Sequence, residues 1–222
     1  MGFVVAIDGT AGSGKGTLAK ILAKKLNFNA IDTGAMYRCV TLAMLRQNVG
    51  LQDEEKIKNI LEEMKIEFVG EDGNKKVFLN GEDVTLKIRS KEVTDFASPV
   101  ATIKSVREHL AQIQRDMAKS IDVIMDGRDI GTNVFPNADV KIYLDATPAE
   151  RAKRRFNQNQ DNGIDIPFEE VLKNVKERDY IDTHREIAPL TKATDAIYID
   201  STEMTIEEVT ELVIKLIKEK RI

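Results

Sequence analysis

Nine residues near the start of the chain, Gly9-Thr10-Ala11-Gly12-Ser13-Gly14-Lys15-Gly16-Thr17, have the types and spacing to hold a phosphate. Glycines let a loop turn successive backbone N–H groups onto one anion, a following helix N-terminus adds its positive end, and Lys15 supplies a mobile cation. The spacing from Gly9 through four residues to Gly14-Lys15 matches the P-loop pattern, except that Gly16 stands where Ser or Thr usually ligates magnesium. Thr17 is next in line, so the hydroxyl is displaced by one residue or its role is taken elsewhere. A glycine turn beside a surface lysine would share the composition. The flanking apolar run at residues 3–7 and the helical pattern from Leu18 supply the strand-to-helix context that a phosphate cradle needs.

Other chemistry-bearing residues also follow apolar runs. Asp32-Thr33-Gly34 leads to Arg38 one turn later, Asp126-Gly127-Arg128-Asp129 follows residues 123–125, and Asp145 follows residues 140–144. Ligands of open α/β sheets bind outside the carboxyl ends of the strands. One arginine beside a carboxylate could be a surface ion pair worth under about 1 kcal/mol, but the pattern recurs at several strand ends. Phosphoryl transfer needs positioning and charge neutralisation, and the planar arginine fork binds phosphate oxygens bidentately. Arg151, Arg154 and Arg155 share a helix face by spacing, a crowding of like charge that a merely solvated helix avoids. Arg178, Asp182 and Arg185 are spaced four and three, either as an ion-pair ladder or as a ribose-binding carboxylate between phosphate-binding guanidiniums. His109 and His184 lack metal-ligand spacing and read as surface or boundary residues.

These groups need elements to hold them. Residues 3–7 are apolar without alternation, as a strand buried on both faces reads, and residues 29–32, 123–125, 140–144 and 196–199 supply four more strand candidates. Helical patterns lie between them, at residues 18–27 and 35–47, and at 100–119 with Ser98-Pro99 marking the start. Alternating strands and helices signal parallel crossover units. Residues 66–93 change texture to short antiparallel strands, with turns at residues 70–74 and at Asn80-Gly81. A helix at residues 148–159, a polar tip at 160–167 and a helix at 168–185 form an excursion that reads as a closing lid. Thr205 and Glu208 form a capping box ahead of an apolar stripe from Ile206 to Ile217.

With 222 residues, one core carrying insertions is expected rather than two independent domains. No apolar run reaches the ~20 residues of a membrane span, and no basic leader precedes the first strand. A lone Cys39, read as a buried small side chain, excludes an internal disulfide and fits a reducing cytoplasm. The net charge of −4 argues against general nucleic-acid affinity. Arginines concentrated near a phosphate loop suit small phosphorylated molecules instead.

With these residues laid out, the chain resembles the bacterial cytidylate kinases, within the P-loop nucleoside monophosphate kinases, nearly end to end. The marks are Ile7-Asp8-Gly9 with the glycine loop; Asp32-Thr33-Gly34-Ala35-Met36-Tyr37-Arg38; Asp126-Gly127-Arg128-Asp129-Ile130-Gly131-Thr132 with Val134-Phe135-Pro136; Glu150-Arg151 with Arg154-Arg155; Glu177-Arg178-Asp179 leading to Ala188-Pro189-Leu190; and the β insert. The resemblance implies an α/β P-loop three-layer fold with a five-stranded parallel sheet. Residues 1–222 would form a single kinase core, with a nucleotide-binding region and β insert at 62–95 and a lid excursion at 148–168. It implies transfer from ATP, with Mg2+, to CMP or dCMP, by a cytoplasmic monomer with no nucleic-acid or membrane partner. Residues 9–17 would bind ATP, with Lys15 stabilising the transferred group. Arg38, Arg128 and Arg178 would hold the acceptor phosphate, with Thr33 nearby where relatives often carry Ser, and Asp182 and Arg185 would lie near the ribose. Ser98, Arg107 and Asp129 would read the cytosine edge. Arg151, Arg154 and Arg155 would close over the donor phosphates. Gly16 is usual in this group, so phosphates and water would hold most of the magnesium, supported by Thr17 and Asp126. A kinase for UMP, AMP or a phosphorylated metabolite is the nearest competing reading. An NTP-driven switch lacks the Asn-Lys-x-Asp guanine-reading motif, and an RNA-binding regulator is disfavoured by the acidic balance.

Overall fold

The apolar run ahead of the glycine loop forms β1 (Val4–Gly9), buried at every position, and the loop then enters α1 (Lys15–Leu26). The computed structural model describes residues 2–70, 75–161 and 163–221. Next come β2 (Asn29–Asp32), α2 (Thr33–Arg46) and α3 (Glu54–Glu63), then the small strands β3 (Ile66–Val69), β4 (Lys76–Leu79) and β5 (Glu82–Asp83). The chain continues through α4 (Lys91–Val100), α5 (Lys104–Met117), β6 (Val123–Gly127) and β7 (Val140–Asp145). It finishes with α6 (Pro148–Asp161), α7 (Phe168–His184), β8 (Ile197–Asp200) and α8 (Ile206–Lys220).

Five strands form one parallel sheet in the order β2-β6-β1-β7-β8, as the apolar runs predict. The central strand faces two cores by simple alternation. Val4 and Ala6 join the side chains of α2, α3 and α5, while Val5 and Ile7 join those of α1 and α8. Register aligns the polar strand ends: Asp32 stands beside Asp126, Asp8 beside Gly127, and Asp145 beside Asp200. One edge of the sheet therefore carries the chemistry. Near the end of the chain the expected capping box of Thr205 and Glu208 starts α8.

Two features differ from the sequence expectation. Ser98 and Pro99 do not start a helix; they occupy the last turn of α4, which Ser90 caps by accepting from the Val93 amide at 3.4 Å. The apolar stripe of α4 runs on into that of α5, but the chain turns at residues 101–103, where Thr102 N bonds Pro99 O at 3.0 Å, and so one periodic pattern conceals two helices. Helix α3, to which the sequence reading assigned nothing, buries Ile57, Ile60 and Leu61 from an otherwise charged segment. The small sheet is antiparallel, with Asn80 and Gly81 at φ 50° and 81° making the tight turn between β4 and β5. The other expected turn, at residues 70–74, lies outside the described residues after Gly70.

Candidate active site

Gly9, Gly12 and Gly14 take φ values of 147°, 79° and 94°, which side chains rarely adopt, and a Cβ on Gly9 would meet the Leu144 carbonyl oxygen at 1.9 Å. The loop is pinned from outside by Thr10 Oγ1, which donates to Asp145 Oδ1 at 2.6 Å. Lys15 folds over its own loop, donating to Thr10 O at 2.6 Å and Ser13 Oγ at 3.2 Å. Burial, reinforced by the Arg128 charge, holds this ammonium well below the usual lysine range. Thr17 sits exposed in the first turn of α1 at the mouth of the cleft.

Facing the loop across a cleft of about 360 Å³ stand Arg38, Arg128 and Arg178. Asp32 caps α2 by accepting from the Ala35 amide at 2.8 Å and pairs with Arg38 at 3.1 Å; despite burial, Arg38 and that amide hold its carboxyl below the ordinary value. Thr33 Oγ1 donates to Asp126 O at 2.7 Å, tying the start of α2 to β6. Arg128 Nε donates to Asp182 at 2.7 Å. The buried Nε of Arg178 has no hydrogen-bond partner among the described residues, and burial followed by repulsion from Arg128 pushes its guanidinium down to about 10. Arg155 is likewise lowered, by burial and then by Arg38 and Arg89. Burial is the larger cause at both, with neighbouring arginines adding to it, while Arg128 is raised despite burial by Asp182 and Asp126, so the unbalanced positive charge lies around Arg178 and Arg155.

Deeper in the cleft, Asp129 accepts from Arg107 at 2.6 Å and Arg185 at 3.4 Å, all three side chains buried. Arg107 lies over the Tyr37 ring at 5.5 Å and donates to Ala101 O at 3.0 Å, and Arg185 donates to Ala188 O. Ser98, from the last turn of α4, opens onto the same space. Four elements thus meet around one polar floor: α4, α5, the end of β6 and the end of α7.

The three arginines of α6 divide. Arg151 is buried, donating to Ala146 O at 2.8 Å, to Ala11 O at 2.9 Å and, bidentately, to Asp179 at 3.1 and 2.6 Å, and it lines neither part of the cleft. Arg154 donates to Ser13 O at 3.4 Å and Ser201 O at 2.6 Å. Arg155 opens toward Arg38 and Arg89, donating to Gln158 at 3.0 Å. Beyond them a second space of about 870 Å³ runs between α4, α6 and α7 and shares Gly12, Gly14, Thr17, Arg155 and Arg178 with the first. Arg89, in the one-turn 3₁₀ helix Lys87–Arg89, lines both parts. Sequence reading missed it because it follows no strand and joins no periodic stripe.

A parallel sheet with a glycine phosphate loop on one side of the cleft and an arginine-ringed pocket on the other defines a P-loop nucleoside monophosphate kinase. The family model described as cytidylate kinase matches residues 5–219, and the chain belongs to that family. It is 48% identical to a cytidylate kinase of Ligilactobacillus salivarius, over 97% of this chain and 96% of that protein. It is 51% identical to one of Caldicellulosiruptor bescii, covering 96% and 94% respectively. Among solved structures, an uncharacterized protein from Eubacterium ventriosum shares the fold, with a TM-score of 0.53 at 14% identity, covering 97% of this chain and 98% of that one. No helix among the described residues is long and apolar enough to cross a membrane.

Proposed function

We propose that this protein transfers the γ-phosphoryl group of ATP to CMP or dCMP, giving ADP with CDP or dCDP. The carrying observation is the joined cleft, in which a phosphate loop and an under-neutralised arginine group meet above the buried Arg107–Asp129 pair. In this reading the loop amides of residues 9–17 and Lys15 hold the donor phosphates, and Lys15 neutralises charge on the group in transfer. Arg38, Arg128 and Arg178 bind the acceptor phosphate; the unpartnered Nε of Arg178 supports that assignment. Arg89, lining both parts of the cleft, joins them. Asp182 and Arg185 lie near the ribose, with Thr33 holding the entry to α2. Ser98, Arg107 and Asp129 read the base: a carboxylate accepts from the cytosine N4 amino group and repels the carbonyl that uracil presents there.

Of the lid arginines, Arg155 closes on the phosphates from above, while Arg151 and Arg154 clamp the carbonyls of Ala11 and Ser13 and so brace the loop. The parts that move on closure are then the far end of α6 and the start of α7. Magnesium fits the donor set, since the Thr17 hydroxyl and the Asp126 carboxylate are hard oxygen ligands that leave most positions to water and phosphate. Burial, with Asp32 alongside, pushes Asp126 up to about 7, so a nearby cation would be welcome. Bound there, the ion supplies charge neutralisation for the transferring phosphates. A single cysteine leaves no partner for an internal disulfide, which supports a reducing cytoplasm.

A coupled ADP-release assay across CMP, dCMP, UMP and AMP tests the reading. The two cytidine nucleotides are expected to turn over far faster than the others, and a preference for AMP or UMP would overturn it.

A further inference from the structure

Asp8 is the penultimate residue of β1, immediately before the phosphate loop, and its place in the chain suggests service to the donor. Its contacts lie on the other side. The carboxylate is buried; Oδ1 accepts from the Ile130 amide at 2.8 Å and Oδ2 from the Gly131 amide at 2.7 Å. Those amides open the π-helical turn Ile130–Val134, whose first N–H groups have no partner within the turn. The residue directly before them is Asp129, whose side chain meets Arg107 and Arg185. Packing around this joint is close: a Cβ on Gly131 would stand 3.3 Å from Asp8 Oδ2 and 3.1 Å from Lys141 Cδ, and one on Gly127 would stand 2.6 Å from Ile130 Cδ1. Hydrogen bonds to an ionised carboxylate are roughly twice as strong as neutral ones. The segment therefore cannot shift along the cleft without breaking two short hydrogen bonds to this buried carboxylate.

We propose that Asp8 is a positioning residue for the acceptor: from the donor strand it fixes the Asp129 segment, and so keeps the base-reading carboxylate in register with the phosphate loop. Asp8 lines neither part of the cleft, so its effect on the acceptor passes through the segment it holds. The inference rests on the proposed acceptor reading and goes beyond it, because nothing in that reading requires a donor-strand residue to govern acceptor affinity.

The test is Asp8→Asn, which keeps the shape but turns an amide donor toward one of the two backbone N–H groups, with CMP and ATP varied separately in steady-state assays. The KM for CMP is expected to rise about ten-fold or more, since displacement of a binding group by about 1 Å is costly. The KM for ATP should stay within about two-fold, and the preference for CMP over UMP should shrink. Gly131→Ala presses on the same carboxylate oxygen and is expected to give the same split. The double variant should be no worse than the more severe single one, because both disturb one contact. Should thermal unfolding show that Asp8→Asn does not fold, Gly131→Ala carries the test alone. A rise in the KM for ATP without one for CMP, or equal rises in both, assigns Asp8 to the phosphate loop or to general stability and overturns the inference. Wild-type enzyme that prefers another nucleotide would instead strike the proposed function, and the split would then be read with that nucleotide.

Discussion

Replacing Arg178 with methionine should make the free protein more stable and the enzyme much worse. The guanidinium is pushed more than two units below the ordinary arginine value, to about 10, first by burial and then by Arg128, with Arg38 and Arg155 adding to the repulsion and Asp182 opposing it. At about 1.36 kcal/mol per unit the charged form carries a penalty of ~3 kcal/mol. Water in the open cleft screens part of this, leaving about 1–2 kcal/mol. A lowered arginine value means the cost is fully present at every pH below about 10, so pH 8 is a suitable condition. Methionine keeps the apolar stem and removes the charge. The free Arg178→Met variant is expected to melt about 2–8 °C higher than its parent. It should also lose most of the upward shift that CMP gives the parent, and its kcat/KM for CMP should fall by about a hundred-fold or more, as loss of one or two charge-assisted hydrogen bonds to phosphate requires. Calorimetry with and without CMP reads the first two quantities. A lower melting temperature together with an undiminished CMP shift would refute the reasoning, because Arg178 would then be satisfied within the free protein.

Lys15→Ala should reduce turnover by about two orders of magnitude or more while the protein stays folded, and near-normal turnover would remove Lys15 from the mechanism. Asp129→Ala leaves two buried guanidiniums without their carboxylate, so it should destabilise the protein by about 3–5 kcal/mol and raise the KM for CMP more than that for ATP; equal effects on both substrates would count against base reading. Asp126, raised from 3.8 to about 7 by burial and by Asp32, is more protonated folded than unfolded, so stability falls as pH climbs through that window. Asp126→Asn should accordingly be more stable than its parent at pH 8 and matched to it at pH 4, and denaturant unfolding at the two values would expose an error if the pH 8 midpoints coincided.

The strands and the phosphate loop were legible in the sequence because their signals are local. Continuous apolar runs such as Val4 to Ile7 can sit only between two covered faces, and glycines at positions 9, 12 and 14 fall where the backbone takes positive φ. The candidate site was legible to the extent that polar residues follow strand ends, which the parallel register then lines up. The α6 arginines were not separable in this way: helical spacing gave Arg151, Arg154 and Arg155 one face, and only the partners Asp179, Ala11 and Ser201, distant in the chain, divide them into braces and an open cation. Ser98-Pro99 misled for a related reason, since proline fits both a first helical turn and a last one, and the break at residues 101–103 leaves no gap in the apolar pattern.

By itself, then, the sequence determined the sheet, the phosphate loop and the supply of arginines, all properties of neighbours along the chain. The tertiary structure decided which charges are already satisfied and which are not. Arg178 with its unpartnered Nε, Asp126 set beside Asp32, and Asp8 reaching across to Ile130 and Gly131 depend on contacts between segments far apart in sequence. Burial and the sign of the facing charge set their energetics, and both arise only when the strands stand side by side.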